Sequence, residues 1–307
     1  MYILIVNPAA GNGRGLKLYQ QLKKTSDYHS RDIQTFFTEA PAGAEALASD
    51  LSKSQGPSLK ACLVLGGDGT LHEVINGWNP SRPVPICFLP AGSGNDFARG
   101  LGVKSRIPDL FKSVLRKPRE HHVYLGNYQV HNGQKRTFLN SVGIGFDGAV
   151  ASYADRPAFR LWMRRLHLTK WIYPAALVRA LQWFKAVEVE VKLDDQPPVI
   201  EKVMMMTITN HPYFGGGMKI APRAGIHHPR FSVILVRALS KRKLLALFLS
   251  VFIGKHTALR EVVEWEADRV HVRTNQGTLF QVDGQPSRSD EWLIKKASSK
   301  TTFLSNS

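Results

Sequence analysis

The chain has 307 residues, with 41 Lys and Arg against 24 Asp and Glu, a formal net charge of +17. Hydrophobic residues make up 43% and charged residues 21%, which excludes a wholly disordered chain. Only two cysteines, Cys62 and Cys87, are present, which excludes a disulfide scaffold. Both lie in apolar runs and read as buried thiols of a reducing cytosol. The positive balance points to an anionic partner: nucleic acid, a membrane surface or a phosphorylated ligand. One large or two medium domains are expected at this length. Residues 1–7 carry no basic n-region or cleavage site, so no signal peptide is expected. The most apolar stretch, 244–253, is too short to span a bilayer.

In chain order, residues 2–6 read as a buried strand ending at Asn7, Pro8, Ala9, Ala10 and Gly11. A helix is predicted over 16–24, a strand over 33–38 and a helix over 42–52. Residues 62–65 form an apolar strand ending at Gly66, Gly67, Asp68, Gly69 and Thr70, with a helix over 71–78 behind it. Residues 85–89 repeat the arrangement and end at Pro90, Ala91, Gly92, Ser93, Gly94, Asn95 and Asp96. Apolar strands alternating with helices predict an α/β N-terminal nucleotide-binding domain with a parallel sheet covered on both faces. Loops at the strand C-terminal ends are where such sheets bind ligands.

After about residue 120 strands dominate, over 137–142, 187–193, 203–209, 231–236, 269–274 and 277–282. Helical stretches over 158–184 and 241–252 interrupt them. This pattern predicts a C-terminal antiparallel β-sandwich-like domain with helical insertions. Residues 297–307 are polar and read as a fraying end.

The three glycine-rich loops carry the chemistry. Glycines permit close backbone approach, and a helix N-terminus behind each turn would present N–H groups to an anion. Asp68 is suited to Mg²⁺, which prefers oxygen ligands and keeps several waters. Thr70 offers a hydroxyl to phosphate. Asp96 is suited to face Asp68 and share its metal and water network. The plainer alternative is that each acid caps the helix it opens.

These strings, in this order and spacing, resemble the bacterial diacylglycerol kinase and lipid kinase family, whose catalytic domain is shared with sphingosine kinases. The run from Asn140 to Asp147 and the pair Asp283-Gly284 extend the resemblance over essentially the whole chain. Gly-Gly-Asp-Gly-Thr alone also occurs in NAD kinases and phosphofructokinases. The resemblance implies an ATP-binding kinase catalytic domain over 1–122, with a tail over 291–307 packing back on it. It also implies a β-rich lipid-binding domain over 123–290. The implied reaction is transfer of the γ-phosphoryl group from ATP, with Mg²⁺, to the hydroxyl of diacylglycerol or another lipid alcohol. The implied place is the cleft between domains, at a membrane surface. Asn7, Pro8, Ala9, Ala10, Gly11, Thr38, Gly66, Gly67, Asp68, Gly69, Thr70, Leu71, His72, Glu73 and Ser93 fall where the family binds ATP. Ser93 replaces the usual Thr and keeps a hydroxyl. Asp68 and Asp96 fall in the acidic network around Mg²⁺, and Asp283 and Gln285 where the acceptor hydroxyl is oriented.

Three positions depart from the family pattern. Gln285 stands where the family carries a Glu general base, and an amide cannot take a proton. General-base assistance is worth about 10²–10⁴-fold, but phosphoryl transfer leans mostly on positioning and electrostatics. The loss therefore slows the reaction and need not abolish it, and Asp283 is the nearest carboxylate to substitute. Tyr124 stands where an acid of the network is usual. His227-His228-Pro229 stands where many members carry Asp-Asp-Gly at a structural Mg²⁺ site, and a His pair is a poor Mg²⁺ ligand set. Adjacent strand residues point to opposite faces, which argues against a shared Zn²⁺.

Residues 159–173 mix cations with large aromatics. On a helix Arg160, Arg164 and His167 share one face, and Trp162, Leu166 and Thr169 another. This reads either as an interfacial helix on anionic lipid or as a helix packed on the sandwich with a solvated basic face. Residues 241–248 read as a buried helix with a basic start. Residues 211–218 read as a flexible loop, near the lipid in the resembling family, or as a plain hairpin connection. Two rivals to a lipid kinase stand: a non-catalytic nucleotide- or lipid-binding protein on the same fold, and a soluble-substrate kinase of the NAD kinase type. No nucleic-acid motif is found. The expected partners are a lipid substrate and an anionic membrane, and a homodimer is compatible with the sequence. The expected location is cytoplasmic, peripheral to the inner membrane face.

Overall fold

The computed structural model describes residues 1–39, 43–54, 58–131, 133–166, 168, 171–251 and 254–306. The predicted positions Ala42, His167, Thr169, Phe252 and Ile253 lie outside the described residues. The chain divides into two compact units, Met1–Leu125 with Ser298–Ser307, and Gly126–Ala297.

The first unit runs β1 (Tyr2–Val6), α1 (Ala10–Lys23), α2 (Ser26–His29), β2 (Ile33–Phe37), α3 (Gly43–Ser54), β3 (Ala61–Gly66), α4 (Asp68–Gly77), β4 (Ile86–Pro90), α5 (Asp96–Gly100), α6 (Ile107–Arg116) and β5 (Arg119–Val123). The last strand of the chain, β17 (Thr301–Ser305), joins the same sheet, in the order β2-β1-β3-β4-β17-β5. All neighbours are parallel except β17 and β5. Every residue of β3 is buried, as a central strand with helices on both faces requires. Leu4, Leu63, Leu65, Leu89, Phe111 and Leu304 belong to one core cluster of this unit. The α6 helix places Ile107, Leu110, Phe111, Val114 and Leu115 on one buried stripe, a 3.6-residue period.

The end of the chain does not fray as its polarity predicts. Thr301–Ser305 is a sheet strand, and Phe303 and Ser305 are fully buried. The hydroxyl of Ser305 meets His121 Nε2 at 2.7 Å, so a polar residue is accommodated in the interior by a hydrogen bond.

The second unit contains β6 (Gly126–Val130), β7 (Arg136–Phe138), β8 (Ser141–Gly145), α7 (Phe146–Ala154), α8 (Pro157–Arg165), α9 (Ile172–Trp183), β9 (Val187–Leu193), β10 (Val199–Thr209), β11 (Tyr213–Phe214), β12 (Met218–Lys219), β13 (Phe231–Arg237), α10 (Lys241–Val251), β14 (Val262–Ala267), β15 (Arg269–Val282) and β16 (Gln285–Lys296). Its large sheet is ordered β14-β13-β10-β8-β15-β16-β6-β7, with β9 paired to both β10 and β15. All of its pairings are antiparallel. Strand β10 pairs β9 over 199–203 and β8 over 205–209. Strand β15 makes the same exchange, pairing β9 over 270–274 and β8 over 280–282. Long strands that change partner in this way turn the corner of a sandwich. One core cluster includes Phe138, Val142, Val191, Val203, Val272 and Trp292. A second gathers α7, α9 and α10 with β10 and β13.

The single strand predicted over 137–142 is two strands, because the backbone N–H groups of Leu139 and Asn140 leave the ladder for the Asp283 carboxylate. The runs 269–274 and 277–282 are one strand with an irregular register between Arg273 and Thr278, a device that bends a strand without ending it. The helical stretch 158–184 is two helices, α8 and α9.

Candidate active site

Loop one follows β1. Asn7 Oδ1 accepts the N–H of Ala9 at 3.0 Å, and Asn7 Nδ2 donates to Thr70 Oγ1 at 2.9 Å. One side chain thus shapes its own turn and ties it to loop two. The carbonyls of Asn7 and Pro8 accept from Ala10 and Leu16. Gly11, Asn12 and Gly13 are all left-handed, with φ of 58°, 57° and 86°. A Cβ on Gly11 would lie 2.2 Å from the carbonyl oxygen of Ala91, so only glycine lets loop one reach loop three. Thr38 is buried, and its N–H bonds to Val6 at 2.9 Å.

Loops two and three meet backbone to backbone. Ala91 donates to the Gly66 carbonyl at 2.7 Å, and a Cβ on Gly92 would lie 2.8 Å from Gly67 Cα. Helix α4 starts at Asp68 after Gly67, which gives it no side-chain cap. The first-turn N–H groups have no intrahelical carbonyl to take them, which suits an anion. A Cβ on Gly69 would meet nothing within 4 Å, so the approach to that turn is open. Ser93 is exposed, whereas Leu71 and His72 are buried at 0% and 1%, which withdraws their side chains from any ligand. Glu73 Oε2 accepts the N–H of Ala44 at 3.1 Å and so ties α3 to α4.

Asp68 reaches across to the start of the next helix, α5. Its Oδ2 accepts the N–H of Asp96 at 3.2 Å and its Oδ1 that of Phe97 at 3.1 Å. Asp96 is buried and held by Arg99 Nη1 at 2.8 Å; the same guanidinium donates to the Gly94 carbonyl. Gly94 marks where the two acids converge. A Cβ built there would stand 3.3 Å from Asp68 Oδ2 and 3.8 Å from Asp96 Oδ2. Two carboxylates around one open point fit Mg²⁺, which commonly takes one or two protein carboxylates and completes its shell with water and phosphate oxygens. Among the described residues no cluster of three or more His, Cys, Asp or Glu stands ready for a metal. A cavity of about 500 Å³ in this unit is lined by Arg14, Arg99 and Arg106 with Asn95 and Ser105. None of the residues expected to bind ATP lines it.

The other predicted residues lie in the second unit, at the β15–β16 hairpin. Asp283 and Gly284 are both left-handed, at φ 50° and 87°, the requirement of a two-residue hairpin turn. Both oxygens of Asp283 are engaged: Oδ2 by the N–H of Leu139, Oδ1 by those of Asn140 and Ser141, at 2.8, 2.8 and 3.1 Å. The geometry therefore makes Asp283 a pin that sets the hairpin on the start of β8. Asp283→Ala is expected to cost about 2–4 kcal/mol, read from urea melts; a loss under about 0.5 kcal/mol would show that the pin is idle. Gln285 is exposed and opens β16 opposite Val282.

Sequence reasoning missed the residues that hold this hairpin. Gln281 Nε2 donates to Asp147 Oδ2 at 2.8 Å, and its Oε1 accepts the N–H of Gly284 at 2.6 Å. Buried Asp147 thus supports the turn through one amide side chain. Beside it, buried His211 bonds through Nε2 to Asn140 Oδ1 at 2.8 Å and accepts the N–H of Tyr213 at Nδ1. Lys296 donates to Asn210 Oδ1 at 2.8 Å. Burial lowers His211 to about 4 and Lys296 to about 8. Of the two readings of the segment from His211, a flexible loop or a hairpin connection, the structure shows the hairpin, β11–β12, turned by Gly215, Gly216 and Gly217. No local pattern marks these contacts: the His211–Asn140 bond spans 71 positions.

Burial also raises Asp147 to about 7, partly offset by the Gln281 amide. An acid raised in the native state binds its proton more tightly folded than unfolded, so its contribution to stability falls as pH rises from about 4 to about 7. Asp147→Asn removes that slope and keeps an acceptor oxygen. The melting temperature of the variant relative to the parent is expected to rise between pH 5 and 7, as followed by calorimetry. A constant difference would mean that Asp147 does not titrate there.

The departures from the family pattern have local answers. The Lys300 ammonium lies 5.1 Å from the centre of the Tyr124 ring, a cation–π contact. His227 and His228 are exposed. At the same corner Arg230 reaches Asp194 Oδ2 at 2.6 Å, the Glu266 carbonyl at 2.8 Å and Asp268 at 3.6 Å. A guanidinium supplies the positive charge there.

A parallel sheet whose end loops converge on two acids, followed by an antiparallel sandwich, defines a two-unit phosphate-handling protein of the kinase type. The family model described as diacylglycerol kinase catalytic domain matches residues 1–127. That described as YegS C-terminal NAD kinase beta sandwich-like domain matches 140–290. The protein named "Putative lipid kinase YtlR" of Bacillus subtilis is 32% identical over 292 residues, covering 92% of this chain and 93% of its own. A diacylglycerol kinase of Mycobacterium tuberculosis is 26% identical over 269 residues, covering 87% and 83%. The chain belongs to the diacylglycerol kinase-like lipid kinase family. In fold it is similar to the crystal structure of a diacylglycerol kinase from Bacillus anthracis, with a TM-score of 0.71 at 21% identity, covering 99% of this chain and 96% of that one. It is also similar to an NAD kinase from Archaeoglobus fulgidus solved in complex with ATP, with a TM-score of 0.53 at 13% identity, covering 99% and 93%.

Proposed function

We propose that the chain is an ATP-dependent lipid kinase. It transfers the γ-phosphoryl group to the hydroxyl of diacylglycerol or another lipid alcohol at a membrane surface. The observation that carries this reading is the convergence of Asp68 and Asp96 on Gly94, beside the uncapped start of α4. When bound, Mg²⁺ would be held by Asp68 and Asp96 and would offset charge on the phosphate oxygens. The first-turn N–H groups of α4 orient phosphate, and Thr70 is fixed beside them by Asn7. In the transfer the bond from the γ-phosphorus to its bridging oxygen breaks and a bond from the acceptor oxygen forms. The acceptor proton passes to water, since Gln285 cannot take it. Radiolabelled ATP is supplied with a panel of lipid alcohols, beside Asp68→Ala. An Asp68-dependent phospholipid product is expected; absence of any product together with absence of ATP binding sinks the reading.

A second reading has its own observation. Gln285 is neutral, and both Asp283 oxygens are occupied by backbone donors. A nucleotide- or lipid-binding protein without turnover fits that hairpin. ATP binding in calorimetry with no product on any lipid would favour it.

A further inference from the structure

The cavity of about 500 Å³ in the first unit has cationic walls and an apolar lining. Its size is that of a small-molecule site. Leu18, Val103 and Ile107 supply apolar surface, and Leu18 and Ile107 are buried. Arg14 comes from α1, Arg99 from α5 and Arg106 from the residue before α6; no Asp or Glu lines the recess. Guanidinium groups repel one another, so three of them gathered from separate elements favour an anion between them.

The three arginines keep donors in hand. Arg106 meets Asp109 Oδ2 through Nε, at 3.1 Å, which leaves both Nη groups. Arg99 uses Nη1 for Asp96 Oδ1, at 2.8 Å, and for the Gly94 carbonyl, which leaves Nε and Nη2. Among the described residues no ion pair takes up Arg14, which is exposed. The Ser105 hydroxyl accepts from Asn306 Nδ2 at 2.7 Å and keeps its own proton to donate. Helix α6 opens beside them with no side-chain cap, and its positive end adds to the field.

We infer that this recess binds a soluble phosphate ester, and that the bound phosphate acts on the acid pair through Arg99. The planar guanidinium fork matches phosphate oxygens two at a time. The apolar lining takes the carbon skeleton of a small alcohol. Arg99 is the link, because the guanidinium that lines the recess also holds Asp96. With phosphate beside Arg99, less net positive charge faces Asp96, and a divalent cation there meets less repulsion. Cation and phosphate ester therefore strengthen each other's binding by the same factor. The link rests on the reading of Asp68 and Asp96 as the Mg²⁺ site; phosphate binding in the recess does not.

Radiolabelled glycerol 3-phosphate is the probe, in equilibrium dialysis against the full chain. It should bind with Mg²⁺ and a saturating, non-hydrolysable ATP analogue present, and free glycerol should not compete. Arg14→Ala/Arg106→Ala should weaken binding at least about tenfold, the loss of charge-assisted hydrogen bonds. Both side chains are exposed, so the fold is retained, as thermal melts check. Mg²⁺ should tighten the probe about fivefold in the parent chain and not in Asp96→Asn, the low end of ordinary coupling between sites. No binding by the parent, or equal binding by Arg14→Ala/Arg106→Ala, overturns the site. Displacement by the ATP analogue would make the recess part of the nucleotide's own site and overturn it too. Displacement by phosphatidic acid vesicles but not by free phosphate would assign it to a lipid headgroup and overturn the soluble ligand. A parent affinity indifferent to Mg²⁺ overturns the link through Arg99. Probe binding without phosphoryl transfer to any lipid would defeat only the kinase reading.

Discussion

Asp68→Ala is expected to reduce phosphoryl transfer by about 10²–10³-fold, the loss typical when one preorganised electrostatic group is removed. The carboxylate has two jobs. It holds the N–H groups of Asp96 and Phe97 at 3.2 and 3.1 Å, and it faces the open side of Gly94 opposite Asp96. Alanine removes both, so a stability loss of about 1–2 kcal/mol should accompany the loss of rate, as for a lost helix cap. Asp68→Asn separates the two. One acceptor oxygen remains for α5, but the charge is gone, so stability should largely return while the rate stays low. Initial rates with radiolabelled ATP and urea melts on the same preparations decide the matter. A parent-like rate in Asp68→Ala would remove the acid pair from the chemistry.

Gln285→Glu is expected to act in the opposite direction, raising the rate by up to about 10²-fold, the lower range of general-base assistance. The change is nearly isosteric and exposed, at the first residue of β16. The hairpin beneath it is already set by Asp283 and by the Gln281 amide on Gly284. No core rearrangement is needed, so stability should change by less than about 0.5 kcal/mol. Rates at matched lipid and ATP concentrations test it. No gain would mean that the acceptor proton leaves to solvent without help, and that the neutral side chain costs the reaction little.

Strands β1, β3, β4 and β9 were legible because their burial follows their sequence pattern. β3 is apolar throughout and buried throughout, while β9 alternates Val with Glu and Lys. Helix α6 carries an equally clear apolar stripe in its sequence. Strand β17 was not legible: two threonines and a serine look solvated until His121 is seen to take Ser305. At the candidate site the glycines and acids were visible as types. That Asp68 bonds the start of α5 depends on how loops two and three cross, which no local pattern encodes. The Asp147–Gln281–Gly284 chain spans sequence separations of 134 and 3, so only the folded sandwich brings it together.

The place of β17 has a consequence for how the protein is made. This strand lies between β4 and β5, and its partners are synthesised before any of the second unit. Until it emerges from the ribosome, β4 has an unpaired edge and the first sheet has a gap where Phe303 belongs. The first unit to be translated is thus the last to be completed. An unfinished sheet edge of this kind is an opportunity for wrong pairing. The second unit, threaded between β5 and β17, can be built while the first waits.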